Sequence, residues 1–109
     1  MSSQTVLHIQ EFHPITFGCF TNAAFYVTEF DPTAKYVEGI ARHTYPNGQT
    51  VDVEHGWAQD SQGRVVEVTW LNNQSHHTTV YIPKTFKTRS QLMRMKTWQR
   101  ALAVCRGTK

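Results

Sequence analysis

The sequence predicts a single α+β domain, in which a helix carrying a cysteine precedes a three- or four-stranded antiparallel sheet and a C-terminal helix. Its 109 residues are close to the commonest size of one domain. Apolar residues recur at helical spacing after Cys19 and again near the C-terminus. The strand-like segments between them are joined by connections of hairpin length, which are too short for the crossovers of a parallel sheet.

The first 18 residues carry no regular apolar pattern. Val6, Ile9 and Phe12 fit either a short helix or an extended arm. The dipeptide His13-Pro14 ends either one, because a residue that precedes proline avoids the helical conformation.

The first predicted helix runs from about Cys19 to Phe30. Gly18 marks its N-terminal boundary, and Asp31-Pro32 stops it. Cys19 is therefore expected in the first turn. The apolar residues that repeat at i, i+3, i+4 and i+7 are Phe20, Ala23, Ala24, Val27 and Phe30.

Three strand-like segments follow, and a fourth is expected further on. The sequence of residues 46–48 is typical of a turn between the first two strands, and that of residues 60–63 suits a type I turn with a glycine in the left-handed region. Pro83 in the fourth segment indicates a sheet edge or a strand end. The predicted segments are Tyr36–Arg42, Val51–Gln59, Val65–Leu71 and, around Val80 and Ile82, His76–Phe86.

The predicted C-terminal helix extends from about Arg89 to Val104, with Thr88 as a candidate N-cap. The positive charge of the chain, whose net charge is +3, is concentrated in residues 84–109. Such a segment could meet nucleic acid or an acidic partner, but a solvated helix face is the favoured explanation. The sequence lacks the alternation of aromatic and basic residues that RNA-binding sheets show.

The register of the second hairpin brings two polar residues together. A three-residue loop between Asp60 and Arg64 makes the numbers of paired residues sum to 124, so that His55 and Glu67 become diagonal neighbours on one face, roughly 7–8 Å apart. A loop of two or four residues would place them on opposite faces. A thiolate at a helix N-terminus, a histidine base and an orienting carboxylate are the parts of a thiol catalytic site, which predicts Cys19, His55 and Glu67 as a triad.

The same residues carry a resemblance to known enzymes. Val53–Trp70 resembles the His-x-Trp…Gly-x-x-Asp-x-Thr-Trp stretch of transglutaminase-like and papain-like cysteine enzymes, with glutamate where aspartate is common. The segment 18–23, with the pattern Gly-Cys-Phe-x-Asn-Ala, resembles their nucleophile helix. Together with Tyr36–Gly39, these blocks also resemble a set of small bacterial and phage proteins. The likeness covers residues 17–71.

The resemblance implies a papain-like core with Cys19 as nucleophile, His55 as base and Glu67 as orienting acid. It implies a cysteine-dependent acyl-transfer enzyme, acting by amide hydrolysis, deamidation or transamidation, on a protein or peptide and without a cofactor. An oxyanion hole is expected from the Cys19 N–H. The candidates for a second oxyanion donor or a supporting side chain are Gln10, His13 and Asn22, and those for a substrate pocket are Trp57 and Trp70.

Other interpretations of single residues stay open. Glu38 is a rival acid, and each triad residue could instead be structural. No C-x-x-C or H-x-x-x-H spacing supports a metal site among the histidines. A non-catalytic phage-type protein that binds and inhibits a host protein is the main alternative to an enzyme, and a nucleic-acid-binding protein is the weaker one.

Two further expectations concern location. The sequence has no apolar run of transmembrane length, so no membrane association is expected. Residues 1–5 lack the basic and apolar regions of a secretory signal, and the two cysteines are too few for a disulfide framework. A cytoplasmic protein is therefore expected, in the host cytoplasm if a phage encodes it. The oligomeric state is left open.

Overall fold

The computed structural model describes residues 4–9, 18–70 and 77–105, and for residues 101–105 it describes the backbone alone. Within these ranges, five strands form one sheet and three helices accompany it. The elements in chain order are β1 (Val6–His8), α1 (Cys19–Glu29), β2 (Lys35–Thr44), β3 (Thr50–Gln59), β4 (Val65–Glu67), β5 (Thr78–Lys87), α2 (Arg89–Met93) and α3 (Lys96–Cys105).

The boundaries of α1 follow from its flanking residues. Gly18 enters the helix with a φ of 94°, a left-handed conformation that favours glycine, and its carbonyl accepts the first helical hydrogen bond, from the N–H of Asn22. The helix ends before Asp31, whose carboxylate accepts hydrogen bonds from the backbone and hydroxyl of Thr33. The predicted start at Cys19 is confirmed.

The strands β2, β3 and β4 form two consecutive hairpins. In the second, Ala58 pairs with Val66 and Gln59 with Val65, so the paired numbers sum to 124 as predicted. The loop closes through a hydrogen bond from the Asp60 N–H to the Arg64 carbonyl. The predicted register is confirmed, and it places His55 and Glu67 on the same face.

The predicted fold, a helix followed by an antiparallel sheet in a papain-like core, is wrong. The sheet is mixed and has the order β1-β4-β3-β2-β5. Its first strand precedes α1 and pairs in parallel with β4, through Val6 with Val65 and His8 with Glu67. The segment that fitted either a short helix or an extended arm therefore adds an edge strand, because a partner distant in the chain supplies the hydrogen bonds that the local pattern does not indicate.

Two other elements differ from the prediction. The third predicted strand stops at Glu67, because one oxygen of its carboxylate accepts hydrogen bonds from the N–H groups of Thr69 and Trp70 and bends the chain away. The single C-terminal helix is instead two. A turn at Arg94, whose N–H bonds to the Gln91 carbonyl, separates α2 from α3.

The fourth strand was predicted, but its neighbour was not. β5 pairs with β2, and the register shifts between Glu38 and Gly39. Pro83 lies on this outermost strand, as predicted for an edge. Thr88 caps α2 with a reciprocal capping box to Gln91.

The sheet has two faces of different character. We call the one that carries α1 the helix face and the other the far face. On the helix face, Ala23 and Val27 of α1 pack against Tyr36 and Ala58. On the far face a second cluster contains Val37, Trp57, Val65 and Tyr81. Because side chains alternate along a strand, His55 and Glu67 belong to the far face.

Within the described ranges, no helix has the length and apolar character needed to cross a lipid bilayer.

Candidate active site

A buried ion pair lies at the centre of the site. His55 Nε2 donates a hydrogen bond to Glu67 Oε1 at 2.7 Å, and both side chains are completely inaccessible to solvent. Burying two charged groups costs several kcal/mol per ion unless their remaining polar atoms are also bonded. The surroundings of Glu67 meet this requirement.

Four hydrogen bonds converge on the Glu67 carboxylate. Oε1 also accepts the Tyr81 hydroxyl at 2.8 Å, while Oε2 accepts the N–H groups of Thr69 at 3.0 Å and Trp70 at 3.1 Å. A carboxylate offers about four lone-pair sites, so this one is saturated. Burial raises the pKa of Glu67, but the neighbouring His55 and the two backbone N–H groups outweigh burial and leave the pKa below its ordinary value.

The orientation of the His55 imidazole is fixed by ring stacking as well as by its hydrogen bond to Glu67. The Trp70 ring stacks on it, with ring centroids 3.6 Å apart and planes within 6° of each other. Burial lowers the pKa of His55, whereas hydrogen bonding and charge interactions with Cys19 and Glu67 raise it, and the net effect is a pKa of about 9. The ring is thus protonated at neutral pH.

The thiol of Cys19 approaches this ring around the edge of β3. Cys19 is the first residue of α1 on the helix face, and it is only half-buried. Nε2 of His55 is occupied by Glu67, which leaves Nδ1 for the thiol. Nδ1 makes no aligned hydrogen bond to any described residue, although Cys19 and His55 interact closely enough to shift each other's pKa. Such loose alignment is common in catalytic sites without substrate.

The surroundings of Cys19 favour its ionised form. Partial burial raises the pKa of the thiol, but His55, the N–H of Gly56 and the N–H of Cys19 itself lower it more, so that the net pKa is below the ordinary value. Low-pKa thiols that are partly exposed are the reactive ones. The absence of a side chain at Gly56 permits this approach, since a Cβ there would lie 2.8 Å from the Phe20 ring and 3.4 Å from the Cys19 carbonyl oxygen.

The supporting residues predicted from the sequence have different positions. Gln10 and His13 lie outside the described residues. Asn22 is buried, and its side-chain amide donates to Thr69 Oγ1 at 3.1 Å, which ties α1 to the bend after β4. The rival acid Glu38 accepts the Tyr36 hydroxyl at 2.6 Å on the helix face, away from the His55 ring.

The two tryptophans predicted for a substrate pocket also differ. Trp70 covers the imidazole of His55. Trp57 is 1% exposed, packs edge-on against Tyr81 with centroids 5.0 Å apart, and borders a cavity of about 280 Å³ on the far face. Among the described residues, no three His, Cys, Asp or Glu side chains are close enough together to hold a metal ion.

The sequence did not predict two groups of the site, the Tyr81 hydroxyl that bonds to Glu67 and the Gly56 N–H that faces Cys19. Tyr81 reaches Glu67 because β5 lies next to β2, and neither the strand order nor that register follows from a local pattern. Gln4 pins Tyr81 in place, since its side-chain amide both donates to the Tyr81 carbonyl and accepts from the Tyr81 N–H, each at 2.7 Å.

No family model, curated protein or solved structure matches this chain.

Proposed function

We propose that the protein is a cysteine-dependent acyl-transfer enzyme, in which Cys19 is the nucleophile, His55 the general acid–base and Glu67 the group that orients His55. One observation carries the proposal. A fully buried His–Glu pair leaves one imidazole nitrogen toward a half-exposed cysteine at a helix N-terminus. The ordered motifs around these residues, which resemble transglutaminase-like and papain-like enzymes, support the same chemistry.

The proposed reaction proceeds in two steps. The Cys19 thiolate attacks the carbonyl carbon of an amide, and the imidazolium of His55 gives its proton to the nitrogen as the C–N bond breaks, which releases an amine and leaves a thioester on Cys19. In the second step His55 takes a proton from water or from an acceptor amine, which attacks the thioester and regenerates the thiolate. Water gives hydrolysis or deamidation, and an amine gives transamidation.

Every part of this reaction comes from side chains and backbone, so the proposal requires no cofactor. The N–H of Cys19 is the proposed oxyanion donor. A protein or peptide is the proposed substrate, and a reducing cytoplasm, which keeps the thiol free, is the proposed location.

The proposal is tested by alkylation with iodoacetamide between pH 5 and 9, followed by peptide mass spectrometry. Cys105, the second cysteine of the chain, is the internal reference. We expect Cys19 to react rapidly well below the free-thiol pKa of about 8.5, and we expect His55→Ala to remove this reactivity at low pH. A Cys19 that titrates as an ordinary thiol would refute the catalytic assignment.

A further inference from the structure

The sheet splits beside the thiol, and among the described residues part of β3 has a paired strand on one side only. β4 pairs with β3 at Ala58 and Gln59 and bends away after Glu67. Within the described ranges, no strand lies beside the outer edge of β3 from Asp52 to Glu54. This free edge begins where Cys19 contacts Gly56 and runs away from the thiol.

The backbone groups on this edge point outward. The Gly56 N–H faces the Cys19 sulfur, so it is not bonded to β2. The β2–β3 turn gives the same alternation. Tyr45 and Gln49 form a hydrogen-bonded pair, and counting along the ladder from them makes Glu38 and Gly56 a pair without hydrogen bonds to each other. In an antiparallel ladder the backbone N–H and C=O groups of successive residues point alternately toward and away from the neighbouring strand. Glu54 and Asp52, two and four residues before Gly56, therefore also point these groups away from β2.

The opposite edge of the sheet, formed by β5, is protected against pairing with an added strand. The edge strand β5 contains Pro83, which has no N–H, and also Lys84 and Lys87. Proline, lysine and a register shift are the features with which natural edge strands avoid added strands. Asp52 and Glu54 lie in a regular stretch of the β2–β3 ladder.

We infer that the substrate is an extended polypeptide whose acyl portion binds as an added strand along β3 from Asp52 to Gly56, with its reacting carbonyl beside Cys19. The inference rests on the proposed function and names its substrate class. Main-chain pairing of this kind gives affinity with little dependence on side-chain sequence. The acyl portion runs parallel to β3, because both chains advance toward the thiol, and the pairing persists in the thioester.

The test uses a covalent probe, acetyl-pentaalanine chloromethyl ketone. The Cys19 sulfur attacks the chloromethyl carbon, the S–C bond forms as the C–Cl bond breaks, and chloride leaves. Two matched probes carry N-methyl groups, one at alternate amides and the other at the intervening amides. Intact-mass spectrometry gives the rate of Cys19 modification by each probe, and iodoacetamide gives the intrinsic reactivity of the thiol.

We expect one N-methylated probe to react about tenfold or more slowly than the parent, and the other to react at the parent rate. One or two lost hydrogen bonds of about 1 kcal/mol each account for this ratio. Equal rates for both N-methylated probes would overturn the inference while leaving rapid iodoacetamide labelling, and thus the proposed function, intact. Slow iodoacetamide labelling would overturn both.

A variant provides an independent measurement. Glu54→Pro removes an outward N–H without removing a bond to β2, whereas Glu54→Ala keeps that N–H and reports the effect of losing the carboxylate. We expect the proline variant to react with the parent probe about tenfold more slowly than the alanine variant, at an unchanged iodoacetamide rate. Equal probe rates for the two variants would contradict the inference.

Discussion

Among the described residues, two ion pairs connect strands of the sheet; they have nearly the same length but differ greatly in burial. The buried pair joins His55 to Glu67 at 2.7 Å, and the surface pair joins Arg42 to Asp52 at 2.8 Å. The buried side chains are 0% exposed, whereas those of the surface pair are 49% and 46% exposed. Asp52 and His55 lie three positions apart on the same strand.

The difference shows what burial demands of a polar group. Each oxygen of Glu67 has two donors, drawn from β3, β5 and the bend after β4. Asp52 pairs with Arg42 on the adjacent strand, and water can satisfy the rest. Removing one partner from a buried pair leaves the other charge stranded, whereas removal from an exposed pair is compensated by solvent.

The largest expected effect follows loss of the central carboxylate. Glu67→Ala leaves the imidazole, the Tyr81 hydroxyl and two backbone N–H groups without their acceptor, and should lower the free energy of unfolding by about 3–5 kcal/mol. Urea denaturation at pH 7 measures this loss. Asp52→Ala on the surface pair is the matched control, and a comparable change in both variants would remove the distinction between the two pairs.

The next effect concerns the hydroxyl that shares Oε1 with His55. Tyr81→Phe removes one hydrogen bond to a buried charge, at a cost of about 1.5–3 kcal/mol in unfolding free energy. It should also raise the pKa of Glu67, weaken the His55 ion pair and move the alkylation profile of Cys19 to higher pH. Tyr36→Phe, which removes a similar tyrosine–glutamate bond on the helix face, should destabilise without moving that profile. An unmoved profile in Tyr81→Phe would exclude Tyr81 from positioning the site.

A third prediction concerns two buried histidines, His43 and His55, whose pKa values are shifted in opposite directions. Burial, together with His77 and His55, lowers the pKa of His43, whereas the pKa of His55 is raised to about 9. Since the folded pKa of His55 exceeds the unfolded value of about 6.5, its contribution to stability is fully present below that value and is lost as the pH rises through 9. NMR titration of both rings should show His43 deprotonating first, and the reverse order would contradict the ion-pair assignment.

The smallest effect should come from charge removal at the surface pair. Asp52→Asn keeps the shape of the side chain and deletes its charge, and we expect the urea midpoint to stay within experimental error of the wild type, both at low salt and in 1 M NaCl. Thermal or chemical unfolding at the two salt concentrations provides the measurement. A clear loss at low salt would mean that exposed pairs also stabilise this sheet.

The geometry of the His55–Glu67 pair was predictable because it depends on one local turn. Asp60 and Gly63 indicated a three-residue loop, and the resulting register alone placed His55 and Glu67 on one face. The start of α1 at Cys19 was equally local, since Gly18 and the helical spacing of apolar residues mark it.

The remaining features depend on contacts between distant parts of the chain. Three residues, Val6–His8, carry no pattern that predicts parallel pairing with β4. The approach of Tyr81 to Glu67 requires β5 to lie beside β2 with a shifted register, which no turn dictates. The early end of β4 follows from a side chain that competes for backbone N–H groups, and strand propensity does not include that competition.

The double contact between Gln4 and Tyr81 spans 77 residues, and it has a consequence for how the protein folds. The β2–β3 hairpin closes through local contacts, whereas the pairing of β1 and the docking of β5 bring together opposite ends of the chain and bear the larger loop-closure entropy. Assembly of the Tyr81–Glu67–His55 network therefore comes late. A growing chain would carry Cys19 as an ordinary thiol until its last strand had been synthesised, so thiol reactivity would report the completion of folding.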